Sequence, residues 1–400
     1  MLRGYSVALV VFLHLNLLCP FPNGVIARVL RTTEMSIGVD MFFVISGFVI
    51  SRSLAPLWDV RTVADVAAMR DVPLSFYQKR FVRLWPTATT WMALSVVLCI
   101  PFRGHAGWPD TGRTFVKLVS GMVYLYNFQE AAANSALGYL WSLSVEWQFY
   151  LLFPLLLLFV RHDGLRLAVA FAALLLTVWF QPGGPVWWLF RFDGLPFGIL
   201  LYVLLIRLGI TLPEYRSLRR GICRHLLTGT LIVAAVLLPR FGFNPRFAFM
   251  LASGFCCVPV ALAAANRGYI TGLGIRPVIS WLGSRSYSIY VAHIPAIMSV
   301  ISIFEILRRS HPALWHLQVT AFRYVLLGYY VLSAATIAVA SELTYRLVER
   351  PSHRASQRIP LFGKGAGAVA GQPAHRIMHL GIREAAGPAN HPGLAGGSDG

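Results

Sequence analysis

The chain is poor in charge, and poorest in acid. Only 13% of its 400 residues are charged, with 16 Asp and Glu against 35 Lys and Arg. Soluble proteins carry about 25% charged residues to cover their surface, so an ordinary soluble globule is excluded. Cysteine is sparse as well. Cys19, Cys99, Cys223, Cys256 and Cys257 make an odd number with no C-x-x-C pair. That argues against a disulfide framework or a thiolate zinc site and leaves small apolar packing residues. No repeat at a fixed period is visible, which disfavours a transporter built from inverted repeats. The first apolar run lacks a small-residue cleavage site and reads as a retained helix, not a signal peptide.

What is present is apolar. Hydrophobic residues make up 56% of the chain and the mean hydropathy is +0.63, the composition of a polytopic membrane protein. The formal charge of +19 comes from basic residues set singly or in pairs between apolar runs. Membrane anchors are placed this way, and the pattern argues against a nucleic-acid partner. About ten helices of membrane-spanning character are predicted, near 5–20, 37–57, 86–102, 138–160, 165–181, 185–206, 225–239, 246–265, 286–306 and 322–341. The apolar stretch 116–128 is too short to span and is expected to be re-entrant or interfacial. With the N-terminus inside, 24 of the 35 Lys and Arg fall on the inner side, so both termini are predicted cytoplasmic. The expectation is an all-α bundle over residues 1–352. Residues 353–400 form a Gly-, Ala-, Pro- and His-rich tail without apolar periodicity, expected to be disordered. Its histidines are too loosely spaced for a metal site.

Against this background the polar residues inside apolar runs stand out. In MLRGYSVALVVFLHLNLL, Arg3 and His14 are eleven residues apart, which puts them on nearly one helical face with a rise of about 16 Å. His14 reads either as a satisfied core histidine or as a general base. Asp40, in SIGVDMFFVISGFVI, fits either a helix-end anchor or a carboxylate orienting the His14 imidazole. FYQKRFVRLWP is read as a cytoplasmic loop in which Arg80 and Arg83, three apart, point the same way. They are either positive-inside anchors or an anion clamp, and Pro86 is expected to mark the next span's start.

Glu146, in YLWSLSVEWQFYLLFP, is a carboxylate at membrane depth, a placement that costs about 2.5 kcal/mol or more. A depth count puts it near the layer of His14. It reads as a structural ion pair, for instance with Arg191, or as a wall of a reaction cavity. Ser142 lies four residues away on its face, with Trp141, Ser144 and Gln148 close by. Arg191 and Asp193 in LFRFDGLPFG read as a second buried polar pair, partly self-satisfied. His293 is expected a turn or two inside the cytoplasmic face. Glu349 and Arg350, before Pro351, read as an inner-leaflet anchor.

Taken together, RGYSVALVVFLH, SIGVDMFFVISGFVI, FYQKRFVRLWP, YLWSLSVEWQFYLLFPLLL, FRFDGLPFG, WLGSRSYSIYVAH and YRLVERP resemble the acyltransferase-3 family of multi-pass membrane O-acyltransferases. That family includes modifiers of exopolysaccharide, O-antigen and nodulation factor. The segments run in the family's order over about residues 2–352. They include its Arg and His eleven apart (Arg3, His14), its R-x-x-R pair (Arg80, Arg83) and its W-S-L-x-x-E segment (Trp141 to Glu146). Family members usually have a longer lead-in before the arginine, and some carry an extracytoplasmic hydrolase-like domain after the bundle. Here the tail follows instead, so acceptor delivery is expected from the bundle itself or from a polysaccharide-assembly partner.

The resemblance implies acyl-CoA, usually acetyl-CoA, as co-substrate, with no permanently bound cofactor. It implies a carbohydrate or lipid-linked glycan acceptor and the cell (inner) membrane as location. The charges fit independently. Coenzyme A carries phosphates and is made in the cytoplasm, and Arg3, Arg80 and Arg83 offer guanidinium groups on the inner side. A sugar hydroxyl needs a base as it attacks a thioester, and His14 is the first candidate, with Asp40 or Glu146 to orient or charge-balance it. Ser142, Ser144 or a backbone amide, beside Trp141, are candidates for stabilising the oxyanion or holding the acceptor. The rivals are a glycan transporter or flippase, in which the same residues line a path, and a non-catalytic assembly subunit.

Overall fold

The computed structural model describes residues 1–20, 24–59, 66–105, 108, 111–129, 135–180, 190–212, 214–215, 217, 221–241, 244–265, 268–311 and 319–360. Among these every regular element is a helix. In a bilayer each backbone polar group needs an internal partner, and a helix supplies it within one segment. The helices are α1 (Leu2–Leu17), α2 (Gly24–Thr32), α3 (Ile37–Ser53), α4 (Ala55–Asp59), α5 (Val66–Phe102), α6 (Thr111–Met122), α7 (Leu140–Phe159) and α8 (Asp163–Phe180). They continue with α9 (Gly194–Tyr202), α10 (Gly221–Leu237), α11 (Pro245–Phe255), α12 (Cys257–Ala264), α13 (Arg276–Ser284), α14 (Ser286–Ser310), α15 (Val319–Thr344) and α16 (Arg350–Arg358). Seven described helical segments are long and apolar enough to cross a membrane, with shorter apolar helices at Leu2–Leu17 and Gly194–Arg207. The chain is therefore an all-α, multi-pass membrane bundle.

The span at 86–102 is corrected by the structure. It is the second half of a 37-residue helix, α5, so Lys79, Arg80 and Arg83 lie on a helix and not in a loop. Pro86 sits inside that helix, as do Pro73 and Pro101. The basic residues interrupt the hydropathy run, but backbone hydrogen bonding continues through them. Packing against neighbouring helices tolerates the prolines. Stretch 116–128 becomes the twelve-residue α6 and a 3₁₀ turn, Tyr126–Phe128, too short to span. Beyond residue 352, α16 carries helical structure to Arg358 and packs on α5. The tail from 361 lies outside the described residues.

Small residues set the closest helix approaches, as expected where no water-driven force pulls helices together. A Cβ on Gly198 of α9 would stand 2.3 Å from the Val44 carbonyl oxygen of α3, and one on Gly47 would stand 2.3 Å from the Leu195 oxygen. Across α1, a Cβ on Gly4 would meet the Ile279 oxygen of α13 at 2.3 Å, and one on Gly38 would meet Ser6 oxygen at 2.5 Å. Helix α1 is thus clamped between α3 and α13, and it also packs along α14. This clamping brings Arg3 and His14 to the other polar side chains.

Candidate functional site

Helix α7 carries two polar stripes at four-residue spacing, and they do different jobs. Ser142, Glu146 and Tyr150 lie along one face and line a cavity of about 120 Å³. Ser46 of α3 donates to Glu146 Oε1 at 2.7 Å, and the Tyr150 hydroxyl donates to the same oxygen at 2.5 Å. The Ser142 hydroxyl shares a short hydrogen bond with the Tyr290 hydroxyl of α14. Glu146 is therefore held by hydroxyl groups, not by Arg191, and it faces open space. The other stripe is supporting structure. Ser144 accepts from the Tyr126 amide at 3.2 Å, and Gln148 donates to the Tyr124 carbonyl at 2.8 Å. Ser144 and Trp141 do not line the cavity. Trp141 is buried edge-on against Phe43, with the Arg191 guanidinium 5.4 Å from its ring centroid.

The cavity's other wall is basic. Arg3 from α1 and Arg80 and Arg83 from α5 all line it, together with Glu349. None of the three arginines has an ion-pair partner among the described residues. Arg80 lies over the rings of Phe76 and Tyr150, at 5.4 and 5.1 Å, which fixes its direction without neutralising it. Glu349, expected as an anchor, instead sits at the end of a π-helical turn, Tyr345–Glu349. It accepts from the Ser288 amide and hydroxyl at the start of α14. A π turn inside a long helix is a common mark of a functional site, but no sequence signal separates this one from ordinary helix.

Asp40 does not meet His14. It is fully buried and pairs with Arg191 at 3.1 Å, and Arg191 also donates to Ser36 Oγ at 2.7 Å. The expectation that Asp40 orients the imidazole is replaced by a buried structural ion pair between α3 and the segment before α9. The reason is competition. A buried carboxylate next to a guanidinium gains more than one next to a neutral ring. Arg191, read in the sequence as the partner of Asp193, makes its ion pair with Asp40.

The partner of His14 is His293. Its Nε2 lies 3.3 Å from His14 Nδ1, with the ring centroids 4.9 Å apart. His14 Nδ1 is also 2.9 Å from the Val10 carbonyl oxygen, one turn back on α1. His293 Nδ1 is 2.6 Å from the Tyr290 carbonyl oxygen. One turn of α14 therefore joins the wall of the basic cavity, at Tyr290, to the histidine pair. His14 itself is not part of that wall. A larger apolar groove of about 620 Å³ runs along α7 and α8. Its polar lining is Gln148 and Arg166, and the Arg166 guanidinium is taken up by the carbonyls of Val160, Trp58, Leu57 and Leu157. The polar side chains singled out by the sequence thus gather in the basic cavity and the histidine pair.

The sequence model of the acyltransferase domain matches residues 1–341. The chain belongs to the acyltransferase-3 family. It is 28% identical to YrhL of Bacillus subtilis over 88% of this chain and 54% of that protein. It is 24% identical to the peptidoglycan O-acetyltransferase OatA of Listeria monocytogenes over 79% of this chain and 51% of that protein. The O-acetyltransferase OatA of Staphylococcus aureus is 23% identical over 79% of this chain and 52% of its own length. The chain thus spans about half the length of the curated relatives it matches. No solved structure matches it. For a member of this family, the arrangement offers a wall of three arginines, a hydrogen-bonded carboxylate and an imidazole pair within one bundle.

Proposed function

We propose that this acyltransferase-3 protein is a membrane O-acetyltransferase that moves an acetyl group from acetyl-CoA to a hydroxyl of a cell-envelope carbohydrate. The observation that carries the reading is the wall of Arg3, Arg80 and Arg83, three guanidinium groups on one cavity with no ion-pair partner among the described residues. Three guanidinium groups that outnumber the cavity's two carboxylates, Glu146 and Glu349, suit a ligand with several phosphates, and arginine binds phosphate in fork geometry. Coenzyme A has that chemistry, and the Lys and Arg distribution predicts that this wall faces the cytoplasm of the cell membrane.

Arg3 and His14 lie on one helix, about 16 Å apart in rise, so phosphates and reacting carbonyl occupy different depths. His14 takes the proton from the acceptor hydroxyl as its oxygen attacks the thioester carbonyl carbon. The C–S bond then breaks, and the departing sulfur takes the proton from His14. Glu146, fixed by Ser46 and Tyr150 on the same cavity as the arginines, positions the sugar. The name of the Listeria relative points to peptidoglycan, which favours a peptidoglycan-type glycan over exopolysaccharide or lipopolysaccharide as acceptor.

The test is purified full-length protein in nanodiscs with labelled acetyl-CoA and muropeptide acceptors, scored for acetylated product and free coenzyme A. His14→Ala is expected to abolish transfer with normal protein level in the membrane. Full activity in that variant would sink the mechanism.

A further inference from the structure

Backbone carbonyl oxygens only accept hydrogen bonds, and this decides where the protons sit on both rings of the histidine pair. His14 Nδ1 faces the Val10 oxygen at 2.9 Å, so that nitrogen carries the hydrogen. His293 Nδ1 faces the Tyr290 oxygen at 2.6 Å, so it carries one too. In two neutral rings both Nε2 atoms are then lone pairs. His293 Nε2 points at His14 Nδ1 from 3.3 Å and accepts the second branch of its N–H. Among the described residues, the one nitrogen of the pair left without a partner is His14 Nε2.

We infer that His293 is a positioning residue that sets the tautomer and ring direction of His14 and accepts from its Nδ1–H when Nε2 takes the acceptor's proton. This rests on the reading of His14 as the base. A carboxylate does this work in the Ser-His-Asp arrangement. Here the carboxylate expected to do it, Asp40, is committed to Arg191. A neutral imidazole suits the apolar surroundings better, because it adds no uncompensated charge. His293 is fully buried, its ring held by its own helix through Tyr290, and Tyr290 in turn is bonded to Ser142 of α7. The ring that directs the base is thereby tied to the wall of the basic cavity.

Two measurements test this. Full-length protein with ¹⁵N-labelled histidine is examined by solid-state NMR in lipid, with the two resonance sets identified by their loss in His14→Asn and His293→Gln. Both rings are expected as Nδ1–H tautomers, and an Nε2–H tautomer on His14 overturns the inference. The second is kinetic. His293→Leu, which has no acceptor, should lower kcat about 10- to 100-fold with the KM for acetyl-CoA unchanged. His293→Gln, which can present an oxygen where Nε2 lay, should recover most of that loss. Equal kcat in the two variants also overturns the inference. If His14→Ala is inactive while His293→Leu turns over as the unsubstituted protein does, His293 is dismissed and the His14 reading stands. If His14→Ala is active, the base itself was misassigned.

Discussion

Two sets of arginines in this bundle are built in opposite ways. Arg166 and Arg191 are buried and committed. Arg166 holds carbonyls of α4 and of the end of α7, and Arg191 holds Asp40 and Ser36. Arg3, Arg80 and Arg83 share a cavity wall and have no ion-pair partner among the described residues. An arginine whose donors are met inside the protein holds the protein together. Three arginines lining one cavity with no direct ion pair among the described residues raise the energy of the empty site, and an anion lowers it. The first set is structural, and the proposed function assigns the second to binding.

The largest expected effect breaks the committed set. Arg191→Met leaves the fully buried Asp40 without its cation and should cost about 3–5 kcal/mol. The measurement is the amount of folded protein recovered from membranes and its melting temperature. Asp40→Leu combined with Arg191→Met should recover much of the loss, since a matched apolar pair can replace a buried ion pair. Arg83→Ala, in the other set, should leave the melting temperature within a few degrees and raise the KM for acetyl-CoA at least about tenfold, the worth of one charge-assisted hydrogen bond. An unchanged KM would place Arg83 among the ordinary anchors.

Smaller effects sharpen the same contrast on the two faces of α7. Glu146→Gln keeps the shape and its acceptor oxygen for Ser46 and Tyr150 but removes the charge. It should lower kcat about tenfold while the KM for acetyl-CoA holds, as read from initial rates at saturating donor. Ser144→Ala, on the supporting face, should cost about 1 kcal/mol of stability and leave kcat within about twofold. A large loss of kcat there would show that the 124–128 segment is part of the active arrangement.

The helices were legible in the sequence because bilayer depth imposes a hydropathy signal on each of them. Helix α5 was cut short at Pro86 because Lys79, Arg80 and Arg83 interrupt that signal while leaving the helix intact. Depth counting placed Glu146 near the layer of His14 but did not name its partner, which is Ser46 of α3. Depth counting also put Asp40 within reach of His14, and it could not decide between two partners at similar depth. The choice of Arg191 for Asp40, and of His293 for His14, depends on which helices are neighbours around the bundle. That information is carried by Gly4, Gly38, Gly47 and Gly198, whose missing Cβ atoms let α1, α3, α9 and α13 touch. Ser142 and Ser144 read as equals in sequence, yet two residues on a helix point to different sides, and only the neighbours reveal which side is open.

The most direct test of the binding set is equilibrium binding of labelled coenzyme A to the full-length protein in nanodiscs, compared among unsubstituted protein, Arg83→Ala and Ser144→Ala. The account predicts saturable binding to the unsubstituted protein and to Ser144→Ala with the same Kd, and a Kd at least about tenfold weaker for Arg83→Ala. Equal affinity in all three, or no saturable binding to the unsubstituted protein, would contradict it.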